Sequence, residues 1–298
     1  MKVILLGTAA GGGFPQWNCA CALCARCHRG ELTARSQESV AVSGNGRDWW
    51  LLNASPDIRT QLLATPALRP GPGPRDTPVR GVLLTDAELD HTLGLTILRG
   101  GTDLTVHAAP PVRDALTADL PLHGLLDRYA PWHWHDSTAP DGFALEGGLT
   151  VTAHPVSSKA PKFVGRPAPG APWVVAYRIE DVATGGALVY APCLASWPDA
   201  FDDLLASASC ALLDGTFFGA DELGRAVRRE DTGQALMGHL PVSGPRGSLA
   251  ALTRHPGLRR IYTHLNNTNP LLDPFSSAGE AVRHAGAEVL PDGSEIIL

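Results

Sequence analysis

Short apolar runs, several of them followed by a single histidine or aspartate, recur along the chain and predict a fold dominated by strands. Strands are expected at residues 3–6, 79–84, 104–107, 132–136, 149–153, 209–213 and 259–263. Residues 39–42 and 49–53 flank Gly44-Asn45-Gly46, which is typical of a β-hairpin turn. Two further hairpins are expected, one from residues 173–179 and 186–190, the other from residues 288–290 and 295–298.

Helices are predicted between several of these strands, at residues 58–63, 93–98 and 111–119. Residues 66–78 are rich in proline and glycine and are expected to form a loop. The sequence has no internal repeat and no linker typical of a domain boundary. The simplest architecture is therefore one α/β domain over residues 1–298, with two packed mixed sheets and outer helices.

Composition and charge narrow the class of protein without identifying it. The chain has 298 residues, of which 44% are hydrophobic and 18% charged, as is ordinary for globular proteins. The formal net charge of −6 gives no basic footprint for nucleic acid. No stretch approaches the roughly 20 apolar residues that cross a bilayer, and the apolar N-terminus predicts a first strand rather than a signal peptide. We therefore expect a cytoplasmic protein with neither a membrane nor a nucleic-acid partner.

Residues 85–95, T-D-A-E-L-D-H-T-L-G-L, place three carboxylates and a histidine directly after a predicted strand. Asp86, Glu88, Asp90 and His91 are donors of the kind that bind metals at the rim of a sheet. The same residues also suit a helix N-terminus, where acidic side chains cap free N–H groups. Three later residues of ligand type each follow a predicted strand and favour the metal site: His154, Asp214 and His264.

This order of strand ends resembles the metallo-β-lactamase fold, an αββα sandwich with metals at one edge of its sheets. Asp86, Glu88, Asp90 and His91 occupy the positions of that family's H-x-H-x-D-H motif. Five phrases are similar to the PqqB family of pyrroloquinoline quinone (PQQ) biosynthesis proteins, and together they span residues 7–270: G-T-A-A-G-G-G-F-P-Q-W-N-C-A-C, S-S-K-A-P, D-G-T-F, M-G-H-L-P-V-S-G and H-L-N-N-T-N-P.

The departure from the metallo-β-lactamase pattern predicts a different chemistry. In the two-metal hydrolases of that fold, the first two histidines of the motif and a later histidine hold one metal. Asp86 and Glu88 replace the first two here, so His154 is the remaining imidazole of that trio. The other site keeps its residue types, and two histidines with carboxylates resemble the donor set of non-haem Fe(II) oxygenases: Asp90, His91, Asp214 and His264. The sequence thus argues against a di-zinc hydrolase and permits a single active-site iron.

The family resemblance implies an oxidoreductase, an Fe(II)- and O₂-dependent hydroxylase of the tyrosine ring of a Glu–Tyr dipeptide derived from a precursor peptide. Two alternatives stay open. One is a carrier that helps transport PQQ or its precursor to the periplasm, and the other is a phosphodiesterase-like, metal-dependent hydrolase. We expect a homo-oligomer that works beside other PQQ biosynthesis enzymes.

Several residues outside the iron ligands are candidates for roles in catalysis. Asp86 and Glu88 are expected to act as a base toward the phenol or as a hydrogen-bond anchor, with helix capping as the alternative. His154 is assigned to the same catalytic group. His239, in a Gly-His loop, is a candidate proton donor or substrate-binding group, or else a surface histidine. Two residues are candidates for binding the carboxylates of the dipeptide: Lys159 and Arg99.

Four of the six cysteines lie within residues 19–27. Cys19, Cys21 and Cys24 form a C-A-C-A-L-C pattern that places three thiolates around one tetrahedral ion. We predict a structural zinc that pins the long loop after the first strand. The fourth ligand remains open, and the candidates are Cys27, His28 and Asn267. The remaining two cysteines are expected in the core: Cys193 and Cys210.

Overall fold

The chain forms two seven-stranded β-sheets in the computed structural model, which describes residues 1–101, 103–227 and 234–298. The strands of the first sheet are β1 (Lys2–Gly7), β2 (Ser39–Ser43), β3 (Trp49–Leu52), β4 (Val79–Leu83), β5 (Leu104–Ala108), β6 (Trp132–Asp136) and β14 (Glu295–Ile297), in the order β14-β1-β2-β3-β4-β5-β6. Those of the second are β7 (Phe143–Leu145), β8 (Leu149–Ser157), β9 (Val174–Asp181), β10 (Ala187–Ala191), β11 (Cys210–Asp214), β12 (Arg259–Thr263) and β13 (Ala287–Glu288), in the order β13-β12-β11-β10-β9-β8-β7.

Short helices connect the strands. They are α1 (Ala22–His28), α2 (Ile58–Ala64), α3 (Leu89–Thr92), α4 (Leu95–Leu98), α5 (Pro110–Ala118), α6 (Leu122–Leu126), α7 (Phe201–Ala206), α8 (Glu222–Val227), α9 (Ser248–Leu252) and α10 (Ser277–His284), with single 3₁₀ turns at Pro66–Leu68, Gln234–Met237 and Pro270–Leu272. Among the described residues, none of these helices is both long and apolar enough to cross a bilayer.

The alternation of side chains along the strands builds two apolar layers. Leu51, Val82 and Leu212 belong to one buried cluster, which joins the two sheets and also includes residues of α2 and α5. Ala211 and Leu213 point to the other face of the second sheet and join a second cluster, which includes residues of α7 and α10. Because each strand has a period of two, one strand contributes to both layers. The predicted αββα sandwich is therefore confirmed.

Two blocks of parallel strands position the candidate site. Strands β3 to β6 run parallel in the first sheet, and β10 to β13 run parallel in the second. Ligands of open α/β sheets bind beyond the carboxyl ends of such strands. Asp214 is the last residue of β11, His264 follows β12, and Thr85 follows β4 closely. The hydroxyl of Tyr177 in β9 donates to the carbonyl of Leu84 at 2.7 Å and so ties the two sheets together at this edge.

Three local predictions differ from the structure. The closing hairpin is wrong, because Ala287–Glu288 pairs with β12 in the second sheet whereas Glu295–Ile297 pairs with β1 in the first. The helix expected at residues 93–98 is present as α4, but an unpredicted short helix, α3, precedes it and carries Asp90 and His91. Strand β8 continues to Ser157, so His154 lies inside a strand rather than at its end.

Candidate metal centre

A cavity of about 590 Å³ opens at the edge where these strand ends meet. Its wall combines most of the predicted metal ligands with residues from the S-S-K-A-P, D-G-T-F and M-G-H phrases. The lining residues that matter below are Asp86, Glu88, Asp90, His91, Lys159, Lys162, Phe163, Val174, Cys193, Thr216, His239, His264 and Asn267. His91, His239 and His264 are called the three cavity histidines from here on.

His91 is completely buried, and its ring is held from one side only. Nδ1 lies 2.9 Å from both carboxylate oxygens of Asp86. Nε2 has no hydrogen-bond partner among the described residues and lies 4.0 Å from Oδ2 of Asp90. Burial opposes the charged ring, but the Asp86 and Asp90 carboxylates outweigh it and raise the pKa of His91 to about 10. A carboxylate behind Nδ1 and a free Nε2 is the arrangement found at metal-binding histidines.

The Nε2 atom of His264 faces the carboxylate of Asp90, and the pair is suited to hold a metal ion. The Thr216 hydroxyl donates to Oδ1 of Asp214 at 2.7 Å, so it accepts at 2.7 Å from Nδ1 of His264. Since Nδ1 carries the hydrogen, Nε2 of the neutral ring is an acceptor, and it lies 3.2 Å from another acceptor, Oδ2 of Asp90. Burial lowers the pKa of His264, although the Asp90 carboxylate acts in the opposite direction. Two acceptors at this distance need a metal ion or a proton between them. The residues present therefore fit a metal.

His239 joins this cluster, and Asp214 stands behind it. Nδ1 of His239 lies 2.8 Å from Oδ2 of Asp214, and its ring stacks on that of His264 with 5.3 Å between centroids. Burial opposes the charged form, but the Asp214 carboxylate raises the pKa of His239. Oδ2 of Asp214 also accepts from the Leu194 amide at 2.7 Å. Asp214, predicted as a ligand, thus supports a histidine much as Asp86 does, although Asp214, His239 and His264 each offer a donor atom within 4.8 Å of the others.

Asp86 and Glu88 have separate environments. Asp86 is 1% exposed and accepts from the Thr85 hydroxyl at 2.8 Å and the Glu88 amide at 2.9 Å, besides its contact with His91. The prediction that Asp86 acts as a base toward the substrate is therefore wrong, because both of its oxygens already accept hydrogen bonds from other groups of the protein. Glu88 accepts from Nζ of Lys159 at 3.0 Å, and both side chains line the cavity. Gly238 makes room for this lysine, since a Cβ there would come within 2.4 Å of the Lys159 side chain.

Two predicted site residues lie elsewhere. His154 pairs across the strands with Ala176, which belongs to the outer apolar cluster, and its Nε2 lies 2.9 Å from the Thr152 hydroxyl. The side chain therefore projects from the face of the sheet opposite to the core between the sheets. Arg99, at the end of α4, donates to the carbonyl of Thr96 at 2.8 Å and does not line the cavity. Both assignments are corrected.

Several lining residues were not among the predicted site residues, and three of them carry a thiol, an amine or a hydroxyl. Cys193, expected in the core, is buried, but it offers its sulfur within 4.8 Å of donor atoms of His91 and His264. Burial raises the pKa of its thiol well above the ordinary value. Lys162 lines the cavity three residues after Lys159. Thr216 lies within the D-G-T-F phrase, and this phrase could have indicated from the sequence that it belongs to the site. No such signal was available for Cys193 or Lys162.

The predicted thiolate site also forms. The sulfurs of Cys19, Cys21 and Cys24 lie within 4.8 Å of one another, and Cys27 is not part of this group. Nδ2 of Asn267 lies 3.1 Å from Sγ of Cys19 and 3.4 Å from Sγ of Cys24. Exchange of the amide oxygen and nitrogen, which are assigned from hydrogen bonding, would present Oδ1 to an ion. Of the three candidates for the fourth zinc ligand, the geometry favours Asn267.

Comparisons with known proteins agree with this architecture. A family model described as a beta-lactamase superfamily domain matches residues 48–265. Coenzyme PQQ synthesis protein B of Nitrosococcus oceani is 41% identical, with all of both chains covered. The Cupriavidus necator protein of the same name is 44% identical over 100% of this chain and 99% of its own.

Solved structures give the same result. The crystal structure of Zn²⁺-bound PqqB from Methylobacterium extorquens superposes over the full length of both chains with a TM-score of 0.91 and 35% identity. A diphosphatase of the PhnP family shares the fold, with a TM-score of 0.69 and 18% identity over 100% of this chain and 97% of its own. The chain therefore belongs to the beta-lactamase superfamily and, within it, to the family of coenzyme PQQ synthesis protein B.

Proposed function

We propose that this chain is an Fe(II)- and O₂-dependent hydroxylase of the tyrosine ring of a Glu–Tyr dipeptide in PQQ biosynthesis. The names of its full-length relatives support the role in PQQ synthesis. The resemblance to this family implies the reaction and its substrate, and the chemistry of the cavity supports them in the following ways.

The observation that carries the proposal is the way in which the three cavity histidines are held. Each uses Nδ1 inside the protein, toward Asp86, Asp214 or Thr216, and keeps Nε2 for another partner. Asp90 adds a carboxylate oxygen to the same place. Imidazoles with a carboxylate suit Fe(II) in oxygenases, with positions left for O₂ and substrate. When bound there, Fe(II) would supply the binding and activation of O₂.

The Lys159–Glu88 pair supports one cavity metal rather than two. Its ammonium lies at the wall of the cavity, 3.0 Å from the Glu88 carboxylate, and like charges repel a second cation placed nearby. Asp86 has both oxygens engaged by the protein. A two-metal phosphodiesterase would thus lack ligands where its second ion should sit.

The remaining lining residues suit a small aromatic dipeptide. A volume of about 590 Å³ is within the usual range for small-molecule sites. In our proposal Phe163 and Val174 contact the ring, and Lys159 and Lys162 bind carboxylates through charge-assisted hydrogen bonds. Glu88, which also faces the cavity, accepts the phenol proton.

The reaction balances with an external reductant. A ring C–H bond becomes C–OH, one oxygen atom of O₂ enters the ring, and the other leaves as water. The two electrons and two protons that this requires come from the reductant, which in the assay is ascorbate.

The test is metal analysis of protein purified without oxygen, followed by incubation with the dipeptide, O₂ and ascorbate. We expect about one zinc and one Fe(II) per chain, uptake of O₂ only with the dipeptide, and a product heavier by oxygen. Two equivalents of zinc together with phosphodiesterase turnover would instead establish the hydrolase. Binding of PQQ without any O₂ uptake would establish the carrier.

A pair of histidine variants makes this test specific. His91→Ala should lose the iron and the O₂ uptake but keep the thiolate zinc, because the two sites share neither histidine nor carboxylate. His154→Ala is the matched control, since its ring lies outside the cavity, and it should retain both metals and activity. Loss of both metals in His91→Ala would contradict independent sites.

A further inference from the structure

A buried network of polar side chains runs from the space between the two sheets to the back of the metal centre. Its members are all at most 1% exposed, and they are Glu38, Tyr190, Asn53, Thr85 and Asp86. Tyr190 belongs to β10 of the second sheet, and Asn53 and Thr85 follow β3 and β4 of the first. Only Asp86 among them lines the cavity.

The contacts form one continuous series. The Tyr190 hydroxyl donates to Oε2 of Glu38 at 2.5 Å and accepts from Nδ2 of Asn53 at 3.0 Å. The same Nδ2 donates to the hydroxyl of Thr85 at 3.0 Å. That hydroxyl lies 2.8 Å from Oδ2 of Asp86, whose oxygens contact Nδ1 of His91.

The direction of each hydrogen follows from the Asn53 amide. The backbone N–H of Thr85 donates to Oδ1 of Asn53 at 2.9 Å, which fixes the amide orientation, because the flipped amide would place two donors together. Both hydrogens of Nδ2 are then used, one on Tyr190 and one on Thr85. The hydrogen of the Thr85 hydroxyl can go to Oδ1 of Asn53 at 3.2 Å or to Oδ2 of Asp86 at 2.8 Å, and the shorter contact assigns it to Asp86.

We propose that Tyr190 and Asn53 are positioning residues for the active-site metal, acting through Thr85 and Asp86 on the ring of His91. This rests on the part of the proposed function that makes His91 a metal ligand, and it is independent of the reaction and the substrate. Tyr190 is three hydrogen bonds from Asp86. It holds the Asn53 amide in the orientation in which Nδ2 donates to the Thr85 hydroxyl. The hydrogen of that hydroxyl then has Oδ2 of Asp86 as its nearer acceptor, at 2.8 Å against 3.2 Å to Oδ1 of Asn53.

Two energetically unfavourable features of the network support a role beyond folding. Asn53 has a positive φ of 60°, which is uncommon for a residue with a side chain, and its amide bonds sustain that conformation. Oε1 of Glu38 is buried without a hydrogen-bond partner in the described part of the chain. Both are unfavourable for folding, and such features concentrate at functional sites.

The experiment measures cobalt(II) binding by calorimetry to protein whose thiolate site already holds zinc. Removing an outer partner of a metal-bound histidine weakens metal binding roughly tenfold or more. Thr85 is one hydrogen bond further out than Asp86, the direct partner, so we expect Thr85→Val to weaken cobalt binding by less than this, roughly fivefold, and Tyr190→Phe, which is further away still, roughly twofold. Thr85→Ser keeps the hydroxyl and should restore the wild-type affinity.

The double variant separates positioning from a general loss of structure. If Tyr190 acts through Thr85, Thr85→Val combined with Tyr190→Phe should bind cobalt as Thr85→Val alone does, because the link is already broken. Tyr262→Phe is the matched control, since its buried hydroxyl contacts Ser248 at 3.0 Å, outside the network. It should bind like wild type, and zinc content should be unchanged throughout.

The outcomes are distinct. Unchanged cobalt affinity in Tyr190→Phe, additive effects in the double variant, or an equal loss in Tyr262→Phe would each overturn the inference while leaving the proposed function intact. A wild-type protein that binds cobalt only in place of the thiolate zinc would overturn both.

Discussion

Replacing Asp86 by asparagine removes one negative charge from behind His91 while keeping the shape of the side chain. In the structure the carboxylate accepts from His91 Nδ1 at 2.9 Å, from the Glu88 amide at 2.9 Å and from the Thr85 hydroxyl at 2.8 Å. The asparagine oxygen, in the place of Oδ1, can still accept from His91 and the Glu88 amide. Its NH₂ group, in the place of Oδ2, can donate to the Thr85 hydroxyl once it turns away from Nδ1 of His91, which lies 2.9 Å from Oδ2. We therefore expect Asp86→Asn to fold and to change chiefly the charge felt by His91.

The magnitude follows from the hydrogen bond that loses its charge. A hydrogen bond to a charged group contributes about 1.5–3 kcal/mol, and a neutral one about 0.5–1.5 kcal/mol. The difference of about 1–1.5 kcal/mol corresponds to roughly fivefold to tenfold in affinity. Metal binding by the cavity should weaken by this factor, measured by calorimetric titration of Fe(II) without oxygen into protein that retains its thiolate zinc.

Asp202 provides the matched control. It also forms an Asp–His pair, at 2.7 Å from Nε2 of His255, but on the surface and away from the cavity. Asp202→Asn should leave Fe(II) affinity unchanged. Equal affinity in wild type and Asp86→Asn would refute the reasoning, because His91 would then not be a ligand that depends on its carboxylate.

Three further predictions concern other parts of the molecule. Lys159→Met should raise KM for the dipeptide roughly tenfold by removing a charge-assisted hydrogen bond, whereas Arg99→Ala, outside the cavity, should not change KM; equal effects would restore Arg99 to the site. Cys24→Ser should lose the zinc and lower the melting temperature, while Cys27→Ser should keep zinc by elemental analysis; zinc loss in both would make Cys27 the fourth ligand. Burial raises the pKa of Glu38 from 4.5 to about 8, so the folded state retains a proton that the unfolded state has released. The free energy of unfolding should fall as pH rises from about 5 to 8 and more steeply than in Glu38→Gln; parallel denaturation curves at both pH values would exclude this coupling.

The fold and the centre of the site could be predicted because their signals are local. His264 comes directly after strand β12, and Asp90 and His91 lie in the short helix that follows β4. The parallel strands bring these ends together at one edge. The thiolate triad is likewise contained in a few consecutive residues. These predictions needed no knowledge of which strand pairs with which.

The wrong predictions concern residues whose role depends on which face of a sheet the side chain occupies and which residues it contacts. His154 was misplaced because β8 runs three residues beyond it, and side-chain alternation turns its ring to the outer face. Asp86 and Glu88 are two residues apart and chemically alike, yet one faces His91 and the other Lys159. Cys193 lies in an apolar stretch, and its contact with the cavity depends on β10 ending beside β11. Sequence periodicity contains none of this tertiary information.

The most direct test of the central claim is oxygen labelling of the dipeptide product. The protein, loaded with zinc and Fe(II), is mixed with Glu–Tyr, ascorbate and ¹⁸O₂, and the product is analysed by mass spectrometry. A single site that activates O₂ beside the phenol predicts that label from ¹⁸O₂ appears on the tyrosine ring, and that His91→Ala gives no labelled product. An unmodified dipeptide from the iron-loaded wild type, or oxygen derived only from water, would contradict the account.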